Sequence, residues 1–236
     1  MTNKSAIGSP GTTTRLRQLV ADIWRGESIL RSLEDRVLYA EVVLKGKTLD
    51  LGSGTSGYLN RLKQDGRVVP VTVDVRAEAR PHVVANFEKG LPFLDGCVQT
   101  VLLHNVLEHV AACDLLIREI GRILQPGGTL YLSMPFLMPV HERKGAIAYR
   151  DYRRLTGAAL EELLADFKVV RISPVEVGPF LAAFHVAFSA VPLRLVRTII
   201  VCAAWSIDLL YARLRRRRDP ETDMAFVLGY VAVAER

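Results

Sequence analysis

Three cysteines, at 97, 113 and 202, are too few and too widely spaced for a disulfide framework. Their odd number suits a reducing compartment, and the expected location is the cytoplasm. The five histidines and these cysteines show no metal-ligand spacing, so no metal site is expected. Residues 1–15 are rich in Ser, Thr and Gly and carry no apolar stretch, which excludes a signal peptide and reads as a disordered tail. Also lacking is a clean apolar run of the ~18–20 residues that a membrane span needs. Arg194, Arg197 and Asp208 interrupt the oiliest stretch. Basic residues exceed acidic ones by six, but Arg213 and Arg215–Arg218 place five positive charges within six residues. That is a local patch, not the broad basic face of a nucleic-acid binder, and no nucleic-acid partner is expected.

Half of the 236 residues are hydrophobic, enough for one domain with a sizeable core, read here as 16–236. It is organised around the stretch from Thr48 to Gly57. An apolar strand ends at Asp50, and glycines at 52, 54 and 57 spell G-x-G-x-x-G ahead of a helix expected near 58–64. Such a turn lets backbone approach a ligand closely, although glycine loops also simply turn chains. Asp50 would repel a pyrophosphate and attract an ammonium group. Asp74 ends the next strand, 22 residues beyond Gly52 and close to the spacing of a ribose-binding acid. A cofactor with both a ribose and an amino-acid ammonium, such as S-adenosylmethionine, suits the two carboxylates.

Around this turn, helices and strands alternate. Apolar residues at helical spacing from Leu16 to Leu44 predict two helices broken near Gly26. Strands are expected at 68–74, 83–85, 98–104 and 129–133, with a helix over 112–124 that stops at Pro126-Gly127-Gly128. This order predicts an α/β, Rossmann-like, doubly wound sheet with ligands beyond the strands' carboxyl ends.

The run Leu49-Asp50-Leu51-Gly52-Ser53-Gly54, then Asp74, Leu91-Pro92-Phe93, Asn105-Val106-Leu107-Glu108-His109 and Arg122-Ile123-Leu124-Gln125-Pro126-Gly127-Gly128, resembles the class I S-adenosylmethionine-dependent methyltransferases. The closest resemblance is to the small-molecule branch, over about residues 45–175. It implies a seven-stranded, mostly parallel sheet with an antiparallel last strand. It also implies Gly52, Ser53 and Gly54 under the methionine part of the cofactor, and Asp74 with Val75 at the ribose. Asn86 and the Phe87 backbone would meet the adenine edge, and Asn105 the methyl end. Asn86 departs from the more frequent Asp, but its carbonyl oxygen can still accept from an adenine amino group.

Residues 134–156 follow a strand end and resemble the Pro-Phe…His…Asp-Tyr…Arg-Tyr-Thr segment of methyltransferases found with bacterial polysaccharide and glycolipid synthesis. Leu155 departs from that pattern, and the gap after His141 is longer. His141 is the candidate catalytic base, because imidazole takes a proton near neutral pH. His109, Tyr149 and Tyr152 are the candidate acceptor-binding residues. His109 also reads as a helix-start packing residue, His104 as a core histidine, Thr156 as an N-cap, and Arg150, Arg153 and Arg154 as ion-pair residues. The activated sulfonium donor needs alignment more than acid–base chemistry. The expected function is S-adenosylmethionine-dependent methyl transfer, at oxygen, to a small-molecule, sugar or lipid-linked acceptor. Two alternatives share the same motifs: an NAD-dependent oxidoreductase and a non-catalytic scaffold of this fold.

Residues 178–224 form an apolar helical insertion before a last strand at 226–233. Its two helices, with wide apolar faces and the terminal arginine cluster, suit peripheral contact through 179–218 with an anionic membrane face. A buried helical pair or a dimer face is the competing reading.

Overall fold

The computed structural model describes residues 12–54, 69–142, 149–188, 191–216 and 225–236, with side chains left out for 12–15 and 215–216. The elements are α1 (Thr12–Trp24), α2 (Ile29–Glu41), β1 (Thr48–Leu51), β2 (Val71–Asp74), β3 (Val83–Val84), β4 (Val98–His104), α3 (Cys113–Ile123), β5 (Leu124–Pro135), α4 (Gly157–Leu163), β6 (Val169–Val177), α5 (Pro179–Ala187), α6 (Arg194–Arg216) and β7 (Phe226–Glu235).

The described residues divide into two compact units. One comprises 35–136, 140–174 and 229–236. It carries the seven-stranded sheet, ordered β3-β2-β1-β4-β5-β7-β6, in which β6 counts through Pro174 and β7 from Gly229. Strands β1 to β5 pair in parallel, and β7 runs antiparallel to β5. The order steps outward from β1 in both directions, so the carboxyl ends of β1 and β4 lie side by side at the point where the winding reverses. The central strands are apolar on both faces, as a sheet covered on both sides requires. Leu49, Leu51, Val101, Leu103, Leu130 and Leu132 form the core with Leu116, Ile120 and Ile123 of α3.

The Arg122 guanidinium clamps the chain before β4 to α3. It donates to the Leu91 and Phe93 carbonyls at 3.1 and 2.8 Å and to Glu119 at 2.7 Å. That pairing, joined by the Leu91 amide, pulls the Glu119 carboxyl down to about 2. Thr156 caps α4 as expected, accepting from the Ala159 amide at 3.2 Å. Strand β5 differs from the expected 129–133, because it starts at Leu124, directly after α3. Val98 pairs with Leu124 and Thr100 with Thr129, so the Pro126-Gly127-Gly128 turn bulges out within the strand. The helix expected near 58–64 lies outside the described residues.

The other unit comprises the described residues of 1–34, 137–139 and 175–228. Here α6 packs against α5 and α1. Gly178 and Asp208 explain how an acid sits within an apolar helix. The Asp208 carboxylate accepts from the Phe180 and Leu181 amides, both at 2.9 Å, and so caps the start of α5 from across the pair. A Cβ on Gly178 would stand 2.2 Å from that carboxylate. Val201 and Ala204 face inward, whereas Leu195, Ile199, Ile207, Leu210 and Leu214 are exposed at three-, four- or eight-residue intervals. Over Arg194–Leu214, α6 is long and apolar enough to cross a membrane by length and composition, and only 17% of that window is buried.

Candidate functional site

Every described residue of the site belongs to the sheet-bearing unit. Strand β1 delivers Asp50 between Thr72 of β2 and Leu102 of β4, where the side chain is buried. The chain then turns through left-handed conformations at Gly52 (φ 75°) and Gly54 (φ 51°). Glycine is required at 52 on two counts, since a Cβ there would also stand 2.3 Å from Val106 Cγ2. The Gly52 and Ser53 amides both donate to the Val73 carbonyl, at 2.7 and 3.2 Å, which pins the turn against the end of β2.

Asp74 completes that attachment by accepting from the Gly54 amide at 2.8 Å. It also accepts from the Arg76 amide at 2.8 Å and from the guanidinium at 3.1 and 3.3 Å. Burial by itself raises this carboxyl. The bonds from the Arg76 side chain and from the two amides outweigh it, and the group is held below the usual carboxylate range. Val75 is exposed beside it. Asn86 is exposed and caps a 3-10 turn, its Oδ1 accepting from the Glu88 amide at 3.0 Å, while Phe87 is buried. Gly57 lies outside the described residues.

Beyond β4 the chain turns at Asn105, whose φ of 52° puts it in the left-handed region that Asn tolerates. Its amide donates to the Ser133 carbonyl at 3.0 Å. The 3-10 turn Leu107–His109 follows. Val106, at the start of that turn, fills the space beside Gly52 and so joins the two turns.

His109 and His141, 32 residues apart in the chain, meet here with their Nε2 atoms 3.1 Å apart. His109 Nδ1 lies 2.8 Å from the Arg150 carbonyl, which can only accept, so the proton is on Nδ1. Burial pushes the His109 pKa down, and the neighbouring His141 adds to the effect against the Arg150 carbonyl. His141 is set by Asp151, which accepts its amide at 3.0 Å and lies 3.3 Å from its Nδ1. Arg154 forms an ion pair with Asp151, bearing out the ion-pair reading for that arginine. Burial raises the Asp151 carboxyl, but the Arg154 and His141 bonds hold it low. Tyr149 packs its ring on His109, with centroids 4.5 Å apart. Tyr152 is exposed, and its amide donates to the Glu108 carbonyl at 2.8 Å, tying this loop to the turn. The buried Glu108 brings Oε1 to 3.7 Å from His109 Nε2.

His104 is a core residue, as its place on an apolar strand indicates. It sits between Ser133 and Asp35, whose Oδ1 lies 3.2 Å from Nε2. The Ser-His-Asp order invites comparison with a hydrolytic triad, but Ser133 is fully buried within the sheet, so no substrate reaches its hydroxyl. Sequence reasoning passed over Arg76, Glu108 and Asp151 as site residues. Asp151 was legible only as the acid of the Asp-Tyr pair ten residues beyond His141. Arg76 carried no motif at all.

Residues 49–132 match the methyltransferase domain family. Among solved structures, this chain is similar to an S-adenosylmethionine-dependent methyltransferase from Mesorhizobium loti (15% identity over 86% of this chain and 98% of that one, TM-score 0.54). It is similar to another from Archaeoglobus fulgidus (15%, 92% and 98%, TM-score 0.54). It is also similar to the [4+2]-cyclase SpnF (17%, 96% and 95%, TM-score 0.54). No curated relative matches the chain. The sheet order, the glycine turn and the domain match define a class I S-adenosylmethionine-dependent methyltransferase fold. Residues 49–132 carry a methyltransferase domain, which makes the protein an enzyme, and its cofactor is S-adenosylmethionine.

The residues present fit that cofactor. Two left-handed glycines leave a side-chain-free cradle, and beside it stands the Asp74 carboxylate, held low and able to accept hydrogen bonds from a ligand's hydroxyls. When bound, that cofactor supplies a methyl group already activated as a sulfonium, and the chain's own task is to hold and orient the two partners.

Proposed function

We propose that this enzyme methylates a hydroxyl oxygen of a small-molecule, sugar or lipid-linked acceptor, and that the hydroxyl gives its proton to His141. The observation that carries the reading is the His109–His141 pair. Two imidazoles converge at their Nε2 atoms on the turn that packs against the cofactor cradle, with a buried carboxylate behind His141. An imidazole nitrogen within hydrogen-bond reach of a hydroxyl can act as its general base. Gly52, Ser53 and Gly54 would carry the methionine part and Asp74 the ribose. Asp50 would favour the ammonium through the floor of the turn. Val75 would stand with Asp74 at the ribose, Asn86 and Phe87 would flank the adenine, and Asn105 would lie at the methyl end. Tyr149 and Tyr152, with His109, would bound the acceptor.

The lipid-linked form of the acceptor rests on α6. Its exposed apolar stripe ends at the arginine-rich stretch 213–218, a combination that suits the surface of an anionic leaflet at the cytoplasmic face. In this reading 178–224 is an insertion in a single methyltransferase domain spanning 16–236.

The test incubates the purified enzyme and methyl-labelled S-adenosylmethionine with extracts of a strain lacking the gene. Label is expected in an alkali-stable methyl ether of the glycan or lipid fraction, and it should fall sharply with His141→Ala. Label on nitrogen, or calorimetric binding of NAD but not S-adenosylhomocysteine, overturns the proposal.

A further inference from the structure

We infer that Glu108, His109 and His141 form a binding site for one divalent transition-metal ion. Their ligand atoms lie within 4.8 Å of one another. The two Nε2 atoms are 3.1 Å apart. Two nitrogens bound at 2.0–2.1 Å to one tetrahedral ion stand about 3.3 Å apart, so a small rotation of either ring seats an ion between them.

The tautomers point the same way. His109 Nδ1 donates to the Arg150 carbonyl, and His141 Nδ1 faces the Asp151 carboxylate. Each ring therefore turns its Nε2 toward the other, and the two nitrogens are within hydrogen-bond distance. A cation that ligates both takes the place of the proton shared between them. A ligating histidine that donates its second N–H to a carbonyl or carboxylate is the usual outer-shell arrangement of a metal site. Here the His109 ring has it, and the Asp151 carboxylate, fixed by Arg154, stands 3.3 Å from the second nitrogen of His141.

Glu108 adds the third ligand. It is buried, adjacent in sequence to His109, and its Oε1 is 3.7 Å from His109 Nε2. Two imidazoles and one carboxylate favour zinc, cobalt or nickel over magnesium, which prefers oxygen ligands. Three protein ligands leave a position open to an outside oxygen, as in metal sites that act on substrates.

The site itself rests on this geometry alone. Its role rests on the proposed acceptor-hydroxyl chemistry. Transfer of the proton to His141 then belongs to the metal-free form; with the ion bound, His141 Nε2 is committed to it, and the ion would promote loss of the proton instead. The acceptor hydroxyl coordinates at the open position and loses its proton to solvent. Its oxygen then forms a bond to the methyl carbon as the sulfur–methyl bond breaks.

The test strips the full chain with a chelator and titrates it calorimetrically with zinc and, separately, with cobalt(II), followed by visible absorption. One equivalent is expected to bind, with cobalt d–d bands and no thiolate charge-transfer band. Binding should be lost in His109→Ala and His141→Ala and weakened about 10–100-fold in Asp151→Asn. Circular dichroism establishes that each variant is folded, and the wild-type cobalt spectrum tests the ligand set without any variant. Absence of binding, a thiolate band, or equal affinity in the wild type and a His109→Ala/His141→Ala double variant overturns the inference. S-adenosylhomocysteine affinity is measured on the same samples. Its absence with metal binding intact overturns the methyl-transfer reading and leaves the metal site standing.

Discussion

The Gly54 amide donates to Asp74 Oδ2 at 2.8 Å, so the acid that ends β2 also holds the glycine turn that follows β1. In the proposed reading, one carboxylate thus links the glycine turn that would carry the cofactor's methionine part to the place its ribose would take. The same carboxylate takes two guanidinium bonds from Arg76. Ribose hydroxyls bound there would compete with that guanidinium for acceptor positions, whereas the two amide bonds could stay.

Asp74→Ala is accordingly expected to weaken S-adenosylhomocysteine binding by about 1–3 kcal/mol, the cost of losing a charged hydrogen-bond partner. Arg76→Ala should leave binding equal or tighter. Calorimetry on the two variants checks both. Undiminished affinity in Asp74→Ala would remove the ribose assignment.

Gly52→Ala tests the packing of the cradle against the turn after β4. The new methyl meets Val106 at 2.3 Å and strains a φ of 75°. Overpacking of this kind costs about 1–3 kcal/mol. Adding Val106→Ala should recover the steric part and leave the backbone part. Urea unfolding of the two single variants and the double variant measures the recovery, and strict additivity would show that the contact is not what makes glycine necessary.

Stability should fall as pH drops below the ordinary histidine value of 6.5. His185 is buried in α5, and burial lowers its pKa against the opposing pull of the Leu137 backbone. His109 is shifted the same way. In acid the unfolded chain takes up these protons first, so unfolding binds protons and gains ground from pH 6.5 down through the depressed folded values. His185→Leu should flatten, without abolishing, this dependence in urea midpoints measured between pH 5 and 8. An unchanged slope would mean that His185 does not contribute.

Binding to anionic vesicles should decline when Arg213 and Arg215–Arg218 become Ser, by up to about 1 kcal/mol for each arginine that lies near the leaflet. Salt should weaken this part and spare the apolar part. Ile199→Glu with Leu210→Glu should remove the apolar part, because both side chains belong to the exposed stripe. Co-sedimentation at two ionic strengths reads the two contributions. A protein that stays in the supernatant at low salt would leave α6 to some other partner.

Much of the architecture was legible because it depends on local rules. The break between α1 and α2 falls at Gly26, whose φ of 96° only glycine adopts readily. Strand β4 was legible to the residue as 98–104, an apolar run bounded by turn residues. Strand β5 was not, because its first residues pair with Val98 through a bulge, and that pairing is set by the neighbouring strand. Asp208 likewise read as an interruption of an apolar helix. Its task, capping α5, becomes visible only when the two helices lie together.

The site divides in the same way. The sequence by itself determined Asp50, the glycine turn and Asp74, because strand ends and glycine spacing are written within a few consecutive residues. It also determined His141 as a loop histidine after a strand. Only the tertiary structure decided that His141 meets His109, that Glu108 lies beside them and that Asp151 and the Arg150 carbonyl orient the two rings. Those partners come from three stretches that no helical or strand period connects. Their convergence depends on the turn after β4 and the loop beyond β5 being folded against each other by the Tyr152–Glu108 backbone bond.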